Sequence, residues 1–223
     1  MNKEVRSMLE TMYTAFREHA QDALTAWDRF IEFIAADHRP KLFYQLNHKF
    51  EWLFEDSKLV ERIEQTYNPS LLQSDYYDHL GEMYVEQVLG TTGGKAGRVY
   101  LTPDEVNQEM AYQVANQSGQ PPYVLDLQAQ TGRLLMAVHK FDPRARLYGI
   151  EPDIRLLRIA RTNLIIHGIT ACLLNADSHK HELDVHYEAG RFNWKHCNSW
   201  YSCLDKLKPI TRSPLKPKNN GRK

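Results

Sequence analysis

Residues 123–177 alternate short apolar runs with helical stretches, and no other feature of the chain restricts its fold as much. The runs YVLDL (123–127), RLYGI (146–150) and TACLLNA (170–176) have the length and bounding residues of buried strands. Between them, Thr131 to about Lys140 and Asp153 to His167 carry apolar residues at helical spacing, the second stretch closed by Gly168. Strand, helix, strand, helix, strand predicts a parallel sheet, because parallel neighbours need a long crossover and a helix supplies it. Ligands of such sheets bind outside the carboxyl ends of the strands. Those ends carry Asp126, Glu151 and Asp177.

The preceding ninety residues read as helices. Met8, Leu9, Met12, Tyr13 and Phe16 share one face, as do Leu24, Trp27, Phe30, Ile31 and Ile34. A further stripe runs through Leu42, Phe43, Leu46, Phe50, Leu53 and Phe54, and Val60, Ile63 and Tyr67 lead to a stop at Pro69. Ser74 or Asp75 is the expected cap of a helix carrying Leu80, Met83, Tyr84, Val88 and Leu89. The aromatics at this spacing are core residues rather than a ligand site. After the flexible turn TTGGKAG (91–97), Thr102 is the expected N-cap and Pro103 the first residue of a helix to about Asn116.

Formal net charge is zero, so bulk charge points to no nucleic-acid partner, but the last eighteen residues hold seven Lys or Arg and no acid. No apolar run approaches the ~18 residues of a membrane span, and the N-terminus lacks a secretory apolar core. Three cysteines make no disulfide framework. The chain reads as cytoplasmic. Expected domains are a helical region at 1–72, an α/β domain at 73–208 and a mobile basic tail at 209–223.

The strand ends have a chemical use. A helix N-terminus near Thr131 and Gly132 offers free N–H groups to an anion. An acid ending the second strand can accept both hydroxyls of a ribose, and one ending the third can reach the base. Together they outline a site for an adenosine-containing cofactor.

Five segments in order then resemble the S-adenosylmethionine-dependent N6-adenine DNA methyltransferases, in particular the methylation subunit of type I restriction–modification systems. They are DHLGEMYVEQVLG (78–90), GRVYLTPDEV (97–106), VLDLQAQTGRLL (124–135), LYGIEPD (147–153) and NADS (175–178). The resemblance implies a partial Rossmann-like parallel sheet of the class I methyltransferase type, preceded by helices. It implies S-adenosylmethionine as cofactor, shaped by Thr102, Asp126, Thr131, Gly132, Glu151 and Asp177. It implies DNA as substrate and a specificity or companion subunit as partner.

The chain departs from the family pattern at Leu127, which replaces a proline, at Leu101, an extra residue in the Tyr-Thr-Pro segment, and in two further places. Gln130 stands at the first glycine of Gly-Thr-Gly, where a side chain can fill the space of the cofactor's amino-acid arm. A positive φ there costs on the order of 1 kcal/mol. The adenine-holding tetrapeptide Asn/Asp-Pro-Pro-Tyr/Phe does not follow Asp177. Gln120-Pro-Pro-Tyr123 is a decoy, since it leads into the amino end of the first strand. No catalytic residue is assigned, and a catalytically inactive DNA- or partner-binding subunit is the alternative function.

Beyond Asp177 a loop and one short helix are expected. His179, His181, His186, His196, Cys197 and Cys203 supply only one half of a zinc pattern and read as solvated loop residues rather than ligands. Phe192, Trp194, Trp200 and Tyr201 could stack on bases; packing against an open sheet face is preferred. The basic tail reads equally as a phosphate grip or a solubilising end.

Overall fold

The computed structural model describes residues 2–38, 50–90, 99–116, 121–177 and 182–189. The chain divides into two compact units, Met1–Arg191 and Phe192–Lys223, and all the described residues lie in the first.

Helices α1 (Lys3–Glu18) and α2 (Ala23–Asp37) start at Asn2 and Asp22, whose side chains accept hydrogen bonds from free N–H groups of the first turns. Short helices α3 (Glu51–Phe54), α4 (Ser57–Thr66) and α5 (Pro69–Ser74) follow. Their apolar faces close on an aromatic-rich core in which Phe16, Trp27 and Phe30 are fully buried. Trp27 meets Tyr13 edge-on at 5.3 Å between ring centroids. The expected packing role of these aromatics is what the structure has. Leu42, Phe43 and Leu46 lie outside the described residues.

Three helix boundaries differ from the sequence reading. Pro69 does not end a helix but begins one, because proline at the first helical position has no N–H to leave unpaired and Asn68 caps the turn. The cap of the following helix is neither Ser74 nor Asp75. It is Asp78, at the head of α6 (His79–Met83), which continues as a π-helix over Tyr84–Leu89. Helix α7 (Asp104–Ala115) starts one residue later than expected, with Pro103 in the cap position and Thr102 before it.

Strands β1 (Tyr123–Asp126), β2 (Arg146–Ile150) and β3 (Ala171–Asp177) pair in parallel in the order 1-2-3. Helices α8 (Arg133–Phe141) and α9 (Ile154–Ile166) connect them. Asp153 caps α9, and Gly168 closes it at φ 64°. Helix α9 is buried on more than one side. Leu156, Ile159 and Ile166 join the helical core, while Leu157, Ala160, Leu164 and Ile165 join the core under the sheet. It therefore carries no polar stripe of the usual width.

The expected loop and helix after Asp177 are replaced in part by a strand. β4 (Glu182–Ala189) pairs antiparallel with β3, with an irregularity at Asn175/Ala176. The physical reason is in the sequence: Leu183, Val185, Tyr187 and Ala189 alternate with polar residues, which is a strand period. The fold is a mixed α/β one whose four-stranded sheet has three parallel strands, as expected of a partial methyltransferase fold. No described helix is long and apolar enough to cross a membrane.

Candidate active site

Register brings the strand ends together. Asp126 lies opposite Gly149, and the N–H of Ala129 donates to the Ile150 carbonyl at 2.9 Å, so the turn after β1 runs along the end of β2. Gly149 makes this approach possible. A Cβ there would lie 2.9 Å from the Ala129 Cβ and 2.9 Å from a Leu173 methyl.

Glu151 follows β2 and is 5% exposed. Its Oε2 accepts the N–H of Gln130 and its Oε1 the N–H of Asp153, both at 2.9 Å. Its carbonyl accepts from Asn175 Nδ2 on β3 at 2.8 Å. Burial pushes its carboxyl above the usual range, the two N–H groups oppose that, and the charges of Asp153 and Asp126 add to the rise. Burial raises the Asp126 carboxyl too, against one N–H donated by Gln128 at 3.0 Å.

Gln130 has φ 47°, the left-handed conformation anticipated at this glycine position. Its Nε2 donates to the Tyr100 carbonyl at 2.9 Å, tying the β1 turn to the segment before α7. Gly132 caps α8 at φ 82° and packs against Ala160 of α9.

Thr131 takes a different position from its neighbours. It is fully buried, and its hydroxyl donates to Asp78 Oδ2 at 2.5 Å. Its carbonyl is taken too, accepting from Asn163 Nδ2 at 2.9 Å. Thr102 contributes through its carbonyl, which accepts from Arg133 Nη1 and Asn107 Nδ2, each at 3.1 Å. Asp177 ends β3, where its backbone pairs with Glu182. Thus Asp126, Gln130 and Glu151 meet at one edge, and Thr102 and Thr131 reach it from behind.

What lies behind is Asp78. It is 3% exposed and accepts four hydrogen bonds. Its Oδ1 receives Gly81 N–H and Asn163 Nδ2, both at 2.7 Å, and its Oδ2 receives the Thr131 hydroxyl and, at 2.8 Å, Arg133 Nε. Arg133 also reaches Glu82 at 3.3 Å. Burial weakens the guanidinium charge, and the neighbouring Asp78 and Glu82 more than restore it, so its pKa stands above the ordinary value. A buried ion pair is tolerable only when its remaining polar atoms are bonded like this. Gly81 is needed because a Cβ there would lie 2.2 Å from Asp78 Oδ2. Sequence reasoning found the segment 78–90 but assigned no role to Asp78, Arg133 or Asn163. The readable signal was Asp-x-x-Gly at a helix start.

The decoy tetrapeptide ends in Tyr123, which opens β1 opposite Arg146 at the amino end of the sheet. Of the His and Cys cluster, His186 is described by its backbone alone and the others lie outside the described residues. No group of three metal-binding side chains occurs among the described residues.

With this geometry in place, the model of the N-6 DNA methylase family matches residues 74–199, more than half of the 223. The chain belongs to the N-6 DNA methylase family. The match takes in α6, the segment before α7, the described strands and the Asp78 network, and it supports an adenine-N6 methylase-like function. No curated protein and no solved structure matches the methylase chain.

Proposed function

We propose that this methylase unit binds S-adenosylmethionine at the carboxyl edge of β1–β3 and serves DNA adenine-N6 methylation of the restriction–modification type. The observation that carries the reading is Glu151. Each of its carboxylate oxygens holds one backbone N–H and keeps lone pairs for another donor, which suits a ribose diol. The cofactor's chemistry would be a methyl group on a sulfonium, destined for adenine N6. The chain's own residues bind and orient. Glu151 accepts the ribose hydroxyls, with Asp126 beside it. The first N–H groups of α8, near Thr131 and Gly132, face an anionic group. Thr102 borders the arm, and Asp177 is the acid assigned to the adenine amino group. DNA and a specificity or companion subunit are the partners of this reading.

Titration calorimetry with S-adenosylmethionine tests it: the wild-type chain binds, and Glu151→Ala lowers affinity by at least about 100-fold, or roughly 3 kcal/mol. Undiminished affinity in that variant would place the pocket elsewhere.

One observation favours a second reading, a non-catalytic subunit that binds DNA or a partner. Gln130 crosses to Tyr100 where the family has glycine, and no adenine-holding tetrapeptide stands between Asp177 and Lys223. Transfer of radiolabelled methyl to mixed-sequence DNA separates the two. Binding without transfer selects the non-catalytic subunit.

A further inference from the structure

Two walls flank the N-terminus of α8: the turn 127–131 and the segment 100–102. They are separated in sequence by α7 and β1, yet they are tied together twice. On the outside, Gln130 Nε2 donates to the Tyr100 carbonyl. On the inside, Asp78 Oδ2 takes the Thr131 hydroxyl from one wall and Arg133 Nε from α8, and Arg133 Nη1 donates to the Thr102 carbonyl of the other wall. The outer tie is exposed and interchangeable with water. The inner one is buried and ionic.

We propose that Asp78 is a positioning residue that sets the separation of these walls, and so selects what lies beyond the nucleoside in the crevice. This rests on the cofactor reading above. Asp78 touches no ligand itself; it acts through Thr131 and Arg133. The nucleoside part is held by Glu151, whose own partners are Gln130 N–H and Asp153 N–H. The amino-acid arm of S-adenosylmethionine is the part that must fit between the walls.

Asp78→Asn separates the two ends of the ligand. Asparagine keeps the size of the side chain and an oxygen for Gly81 and Asn163. Its amide then faces Thr131, whose hydroxyl can turn to accept, and Arg133 Nε, which cannot. The ionic tie to Arg133 is lost selectively. The expected result is a loss of S-adenosylmethionine affinity of about tenfold or more, with adenosine affinity changed by less than about twofold. Amide hydrogen exchange without ligand should quicken at residues 130–132 by about tenfold, while β2 stays protected. Leu9→Ala, in the distant helical core, controls for stability: at a matched loss of melting temperature it should leave both affinities and the exchange at 130–132 unchanged. An equal loss of adenosine and S-adenosylmethionine affinity overturns the proposal, as does unchanged exchange at 130–132. If the wild-type chain binds neither ligand, the cofactor reading falls by itself, and the exchange data still decide whether Asp78 holds the walls.

Discussion

At the scale of single residues, the crevice depends on three glycine-like positions, of which two are glycines. Gly81 lets the Asp78 carboxylate fold back over its own helix, and Gly149 lets the β1 turn lie against β2. Gln130 takes the third position at φ 47°, a conformation costing a side chain on the order of 1 kcal/mol. Its N–H reaches the Glu151 carboxylate from that conformation, which offsets the strain. Gly81→Ala should destabilise the chain by about 2 kcal/mol or more in urea unfolding, because the added methyl displaces a carboxylate that carries four hydrogen bonds. A change below about 0.5 kcal/mol would mean that Asp78 has other places to go. The need for glycine at 81 was half legible. Asp-x-x-Gly reads as a helix start, but nothing local says that the same carboxylate serves Thr131, Arg133 and Asn163, which lie 53, 55 and 85 residues further on.

At the scale of elements, the parallel strands and their helices follow from local patterns. Asp153 precedes a helix with apolar residues at helical spacing and caps it through the N–H groups of Arg155 and Leu156. Asp153→Ala should cost about 1 kcal/mol of stability. It should leave nucleoside affinity nearly unchanged in the same calorimetric titration, since Glu151 uses the backbone N–H of residue 153 and not its side chain. Element boundaries differ from the local pattern where several capping residues stand close together, as at Ser74, Asp75 and Asp78. The cap went to the residue whose carboxylate also had buried partners. β4 is weakly legible because its alternation spans only eight residues and polar side chains fill half of them. A half-apolar strand of eight residues becomes worth forming only when β3 offers a free edge.

At the scale of the whole molecule, the helical region and the sheet share α9, and a cluster of imidazoles lies where they join. Tyr76 donates to or accepts from His139 Nδ1 at 2.7 Å and stacks on His167 at 4.2 Å between ring centroids. Asp75 lies 2.9 Å from His79 Nε2, and Gln73 lies 3.2 Å from His38 Nδ1. Burial holds the His167 imidazole down to about 4; His38, His139 and His79 push the same way and Asp75 opposes. Burial lowers His38 and His139 as well. A folded pKa below the unfolded one means that the unfolded chain binds the proton more readily. The stabilising contribution is therefore complete above about pH 6.5 and is lost as pH falls toward about 4. For His167 the loss reaches about 3 kcal/mol. Unfolding by urea at pH 7.5 and pH 5 should show the decline, and His167→Gln should flatten it. An equally steep decline in the variant would assign the acid sensitivity to other groups.

The sequence alone determined the kinds of most elements up to Asp177 and the parallel pairing of three strands. Those depend on periodicity and on the chirality of crossovers, and both are written in short stretches of chain. It also determined that Glu151 would stand directly after the second strand. Only the tertiary structure decided that Thr131 turns inward, that Asp78 and Arg133 stand behind the crevice, and that β4 closes on β3. A buried carboxylate is stable only where several donors converge on it, and that convergence exists once distant segments have packed together.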